Sequence, residues 1–199
     1  MLMPRLITAV LVAVALVLGG VLAYRTVLAP LGGTVVQNAP RVPDEALVSD
    51  AGKAARLSDF GGGTRLVFFG FTRCPDVCPA TLGVLARAYE NLSEGQKERV
   101  KVMLVSVDPG NDKPEVLRAY LRRFNPDFRG FTGTEEALRR MEAGFFVYAR
   151  HDEEHDSFVH GDTVAVVDAE GRMRRVYTQD DVASGTLARD LPRLAAGRI

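Results

Sequence analysis

This chain of 199 residues has no net charge, because 25 Lys and Arg balance 25 Asp and Glu. Nothing in that balance attracts a polyanion, so no nucleic-acid partner is expected. Histidine is scarce, with three residues, and cysteine scarcer, with two. Soft-metal or thiol chemistry therefore has few side chains to draw on: Cys74, Cys78, His151, His155 and His160. Internal repeats and low-complexity tracts are missing too. What remains, 47% hydrophobic and 25% charged, is the composition of a globular chain rather than a disordered one. The length suits one domain with a sizeable core plus an extension.

Charge is also absent from residues 6–23, which lie between Arg5 and Arg25. As a helix rising about 1.5 Å per residue they span roughly 27 Å, near the lower limit for crossing a bilayer. They also lack the polar stripe of a globular helix. Two readings fit: an uncleaved membrane anchor, or a secretory signal cut after "VLA". The length favours the anchor, since signal cores usually run about 7–15 residues. Either way the domain is expected outside the cytoplasm. The short segment before the apolar run carries Arg5 and no acid, the arrangement that stays inside. No cysteine follows the run, which excludes a bacterial lipoprotein anchor. The expected layout is an anchor over residues 1–25, a Gly- and Pro-containing linker over 26–43 and a domain over 44–199. It gives a single-pass protein of the inner (cytoplasmic) membrane with its domain facing the periplasm or extracytoplasmic space. Export makes both a structural disulfide and a deliberately reduced thiol pair compatible with the compartment.

Along the domain, "ALVSDAGKAARLSDF" reads as a hairpin turning at 50–53. "TRLVFFGFT" is a core strand ending just before Cys74, followed by a helix, "CPATLGVLARAYENL", with Leu82, Leu85, Tyr89 and Leu92 on one face. A second apolar strand, "VKVMLVSVD", precedes a helix opened by Pro114. "NPDFRGFTG" reads as a turn, "TEEALRRMEAGF" as a helix capped by Thr134, and "FFVYAR" as a short strand. "DTVAVVDAEGRMRRVYT" is a hairpin turning at 169–171, and a last helix over residues 184–195 contains Pro192. Alternating apolar strands and helices imply an α/β sheet covered on both faces. This order, ending in an antiparallel hairpin and helix, is the thioredoxin-like arrangement, here with an N-terminal hairpin extension. Ligands in such sheets gather where strands end and helices begin. Cys74 and Cys78 sit at such a point.

The pair lies in "FTRCPDVCPATL" with three residues between the sulfurs, one more than in a thioredoxin-type couple. Core filling is one reading, but Pro75 and Pro79 fix the backbone around the pair and argue against it. A structural disulfide across so short a loop would add little by closure entropy. A redox couple and a metal site share one cause: both sulfurs lie near a helix N-terminus, which favours thiolate. Asp76 between them opposes ionisation and so argues against a strongly oxidising couple. Two thiolates select Cu(I), zinc or, with an imidazole, Cu(II).

His151 and His155 fall in the acid-rich "RHDEEHDSFVHGDT", which reads as an exposed loop; a metal-collecting role is the alternative. His160 stands at the start of the strand "DTVAVVDAEG". In thioredoxin-like reductases a proline precedes this strand and faces the cysteines. Here Asp162 takes that position and His160 stands two residues before it, a change that suits a ligand better than disulfide exchange.

"FGFTRCPDVCPATL", "VSVDPGNDKPEVLRAYLRRFNPDFRGFTGT" and the interval from His160 to Gly171 together resemble the Sco/SenC family of copper chaperones, over about residues 46–190. The resemblance implies that Cys74, Cys78 and His160 are copper ligands, for Cu(I) or Cu(II). It implies delivery of copper to the dinuclear copper site of cytochrome c oxidase, or reduction of that site's cysteines. The expected partners are the copper-bearing oxidase subunit or its assembly factors, a thiol reductant and the membrane. The family usually has an aspartate just before the ligand histidine. Val159 stands there in this chain, leaving Asp162 or Asp156 to orient the imidazole. The rival enzyme reading is a thiol-disulfide reductase using Cys74 and Cys78 without His160. A thiol peroxidase fits less well, because Thr72 lies two residues before Cys74 rather than three. A closed structural zinc site lacks a fourth ligand.

Overall fold

The computed structural model describes residues 2–24, 30–61, 63–152 and 157–199. They form two compact units, Met1–Leu31 and Gly32–Ile199.

The first unit is dominated by α1, Leu2–Ala23. Its 22 residues span roughly 33 Å. From Arg5 onward every side chain of the helix is exposed. The segment Arg5–Ala23 is long and apolar enough to cross a membrane, a property that signal sequences share.

The second unit is built on the strands β4 (Thr64–Gly70), β5 (Val100–Ser106) and β6 (Arg129–Thr132), which run parallel to one another. β9 (Val164–Val167) and β10 (Met173–Tyr177) extend the sheet antiparallel on the β4 side, and β1 (Thr34–Val35) closes that edge. β1 lies within the stretch read from sequence as a linker. On the other side β6 pairs with β2 (Leu47–Ser49), which pairs with β3 (Ala54–Ala55) as the expected N-terminal hairpin. Every residue of β4 is buried, as its unbroken apolar run requires of a strand covered on both faces.

Alternation along the strands sorts the core. Val67, Phe69, Met103, Val105 and Phe131 face one way, packing with Ala137, Leu138 and Met141 of α5 (Glu135–Gly144). The register Phe68–Leu104–Gly130 runs along the opposite face. There α2 (Val77–Glu90) buries Leu82 and Leu85, and α4 (Pro114–Leu121) buries Leu117 and Leu121. A Cβ at Gly130 would lie 3.0 Å from Leu121 Cδ1 and 3.1 Å from Leu117 Cβ, so the missing side chain lets α4 approach the sheet. α6 (Gln179–Ala183) and α7 (Thr186–Ala195) complete the domain, α7 with Pro192 inside it.

Four local expectations change, and one helix appears where the sequence predicts none. The stretch "NPDFRGFTG" is not only a turn, because β6 lies in it. With four residues, one of them glycine, β6 has little pattern of its own and is defined by pairing with β5 and β2. The polar helix α3 (Glu94–Arg99) buries nothing; a capping box between Ser93 and Gln96 holds its start. The strand expected at "FFVYAR" comes later, as β7 (Ala149–Asp152). β7 pairs with β8 (Ser157–His160), so His151 belongs to a hairpin strand and not a loop. His160 accordingly ends β8 instead of opening the strand that begins at Val164.

Asp190 of α7 is 2% exposed and accepts from the Tyr177 hydroxyl at 2.9 Å and the Gly32 amide at 2.6 Å. This joins the C-terminal helix to β10 and to the start of the domain. Asp190→Ala strands a buried phenol, and equilibrium urea unfolding should show a loss of about 1–3 kcal/mol.

Candidate metal centre at the turn between β4 and α2

β4 delivers the chain to Gly70, and the following turn is closed by the Cys74 amide donating to the Phe71 carbonyl at 3.3 Å. α2 then starts at Val77, so Cys78 is its second residue. The first amides of a helix have no partner within it. The Asp76 side chain does not cap them; the Cys78 amide donates to Cys74 Sγ at 3.4 Å instead. Cys74 thus acts as a sulfur cap, a role in which negative charge on the atom is favoured by the helix terminus.

The two thiols are not joined as a disulfide and are unequal: Cys74 is partly exposed, Cys78 completely buried. Cys78 fits because Gly70 lies beneath it. A Cβ at Gly70 would stand 2.7 Å from Cys78 Sγ, 3.0 Å from Phe68 Cε1 and 3.3 Å from Leu104 Cδ1. The Cys78 thiol is pushed up well above the usual cysteine range. Its hydrogen bond with Cys74 contributes most and burial next, against a smaller opposing bond at the Phe71 backbone.

The turn is clamped from the loop after β5. Asp112, fully buried, accepts from the Thr72 amide at 3.2 Å, the Thr72 hydroxyl at 2.6 Å and the Ser106 hydroxyl at 2.7 Å. Burial raises its pKa, and those donors oppose the rise. Arg73, adjacent to Cys74, pairs with Asp108 at 3.2 Å. Sequence reasoning gave neither aspartate a role. The available signal was two aspartates in the loop "VDPGND" directly after an apolar strand, a place where loops carry function.

The third expected ligand belongs to the hairpin of β7 and β8. His160 pairs with Ala149 across that hairpin, and the Gly161 amide donates to the Tyr148 carbonyl at 2.9 Å. Two residues earlier, the Phe158 ring packs on Phe71 with centroids 5.7 Å apart. Phe158 and Cys74 both pack against the core cluster that contains Phe71. The backbone of β8 is thereby fixed beside the cysteine turn. The imidazoles of His160 and His151 lie outside the described side chains, and His155 and Asp156 lie outside the described residues altogether. Asp162 is half-buried just past the hairpin. Among the described residues no three His, Cys, Asp or Glu side chains converge on a metal position.

Residues 37–196 match the family SCO1/SenC. The chain belongs to that family. An SCO2-like protein of Rickettsia felis is 31% identical over 167 residues, covering 80% of this chain and 81% of the relative. The apo Sco1 protein from Thermus thermophilus, solved in solution, is 40% identical with a TM-score of 0.75, over 84% of this chain and 99% of that one. Bradyrhizobium japonicum ScoI, solved with copper bound, is 26% identical with a TM-score of 0.65, over 78% and 99%. The mixed sheet with its helices is thus the thioredoxin-like fold of Sco structures.

In this Sco/SenC chain the geometry offers one reachable sulfur and one buried sulfur held together, a pair able to grip a soft cation or to close as a disulfide. Gly70→Ala drives a methyl group into Cys78 Sγ. Guanidinium unfolding should show a loss of about 1–3 kcal/mol, the usual cost of overpacking. The raised Cys78 thiol also sets a pH dependence. An unfolded cysteine ionises near pH 8.5. Above about that pH the unfolded chain sheds a proton that the fold retains. Stability from this group is therefore complete below about pH 8.5 and falls above it, by about 1.4 kcal/mol per pH unit. Unfolding of the reduced protein at about pH 7.5 and 9.5 should show that fall, and Cys78→Ala should flatten it.

Proposed function

We propose that Cys74, Cys78 and His160 carry one copper ion as cargo and surrender it to the dinuclear copper site of cytochrome c oxidase. The observation that carries this reading is the pairing of a partly exposed and a buried thiol at the start of α2, beside a strand that ends in His160. Family membership supports it: a relative holds copper in its structure, and Sco proteins are described as a family of cytochrome c oxidase assembly proteins.

The donor set suits the metal. Two thiolates neutralise Cu(II) and leave Cu(I) with one excess negative charge, and imidazole binds both states. Loading requires both thiols to lose their protons, so copper capture releases protons and strengthens as pH rises. Cys78, held protonated in the apo protein, is where the metal must do most to displace a proton. Cys74, the more reachable sulfur, is where an acceptor's ligand enters first, so transfer proceeds by stepwise ligand exchange. In this reading α1 is a membrane span that keeps the domain on the periplasmic side, with Arg5 at its cytoplasmic end.

The inequality of the thiols also favours a second reading, a reductase for the cysteines of the same target. Cys74 would attack a target disulfide and Cys78 would then displace the reduced target, leaving a Cys74–Cys78 disulfide for an external thiol to reduce.

Anaerobic copper titration of the reduced chain in detergent separates the two. Wild type should bind one copper with a thiolate charge-transfer band, and Cys74→Ser should lose the band. His160→Ala should bind at least about 100-fold more weakly, because loss of even an outer partner of a ligand costs about 10–100-fold. Full copper affinity in His160→Ala, with disulfide reduction intact, would leave the reductase reading in place and remove His160 from the ligand set.

A further inference from the structure

Tyr120 presents a buried polar atom that nothing among the described residues engages. It sits in α4 and is 7% exposed, and its hydroxyl is buried with no hydrogen-bond partner among the described residues. The ring is held in place. Phe124 meets it edge-on with centroids 5.2 Å apart, and the Arg123 guanidinium lies 5.9 Å over its face. A buried hydroxyl without a partner is a standing cost, and phenylalanine would fill the same space without it.

The sheet shows what lies nearby. Phe68, Leu104 and Gly130 form one register across β4, β5 and β6. A side chain at Gly70 would meet Cys78 Sγ and Leu104, and one at Gly130 would meet Leu117 and Leu121. The turn of α2 bearing Cys78 and the α4 turns around Tyr120 therefore cover the same face of the sheet. The phenol also feels the thiols. Burial is the first cause of its raised pKa, and the Cys78 and then the Cys74 thiol, once ionised, are the next. Asp112, the other anion felt there, already receives donors from Thr72 and Ser106.

We propose that Tyr120 is a positioning residue for the metal centre, its hydroxyl donating to the sulfur of Cys78 or Cys74 once the pair is ionised and holding copper. A neutral thiol is a weak acceptor and a thiolate a strong one. The bond is thus worth little in the apo protein and much in the loaded one. The unpartnered hydroxyl is the resting form of a contact completed by thiolate formation. Such a bond also draws electron density from sulfur, which tunes the metal as outer partners of ligands do. The inference rests on the copper reading of the pair.

The test is Tyr120→Phe in the full chain, compared with wild type by Cu(II) titration, absorption spectroscopy and thermal unfolding of the reduced apo form. A charge-transfer band moves an electron out of a sulfur orbital that the hydrogen bond lowers in energy. In the variant the band should move to longer wavelength, and Cu(II) should bind about tenfold more weakly, the scale of a hydrogen bond to a charged group. The reduced apo variant should melt no lower than wild type, since it loses only an unpaired hydroxyl. Unchanged band and affinity in a variant that loads copper would overturn the proposal while leaving the copper reading intact. A clearly lower apo melting temperature would overturn it also, by showing that the hydroxyl has a structural partner. If wild type itself gave no thiolate band, the copper reading would fall and take this inference with it.

Discussion

The carboxylate of Asp112 lies wholly inside the protein and takes donors from both sides of the central sheet's upper edge: the Thr72 amide and hydroxyl, and the Ser106 hydroxyl. Enclosing a carboxyl is costly unless such donors surround it. Once they do, the loop after β5 and the turn after β4 are joined as one unit. Arg73 and Asp108 repeat the connection one residue closer to Cys74. The position of Cys74, the amide of Cys78 and the first turn of α2 all follow from that clamp. Polar groups buried at a strand end define the shape of the site, and the apolar layers below supply the rigidity.

On this frame the two cysteines become different groups despite their closeness in sequence. Gly70 opens a space against the sheet that Cys78 fills, so its sulfur is sealed and stays protonated. Cys74, one turn earlier, takes the free amide at the helix start and keeps a path to solvent. A carrier has to hold its cargo firmly and still release it to a partner. A buried and a reachable donor side by side meet both needs, as they would meet those of an attacking and a resolving thiol. The same asymmetry therefore suits both the proposed chaperone chemistry and the reductase reading.

Much of this was legible in the residues. All-apolar runs located β4 and β5, Pro114 and Thr134 marked the starts of α4 and α5, and the turns at 50–53 and 169–171 located two hairpins. These features are governed by contacts within a few residues, which composition and spacing express directly. β6 was not legible, because a four-residue strand containing glycine is a strand only beside its neighbours. Nor was the hairpin of β7 and β8, where acids and histidines gave a loop-like pattern and the Phe158–Phe71 contact supplies the anchor.

The sequence by itself determined that two cysteines stand at a strand-to-helix turn, that His160 lies some eighty positions beyond, and that an apolar segment precedes the domain. Tertiary structure alone decided which sulfur is sealed and which is reachable. It also decided that Asp112 clamps the turn and that the Tyr120 hydroxyl is enclosed without a partner among the described residues. Burial and hydrogen-bond pairing depend on the packing of segments 30 to 50 positions apart, and no local pattern encodes which of those segments will meet.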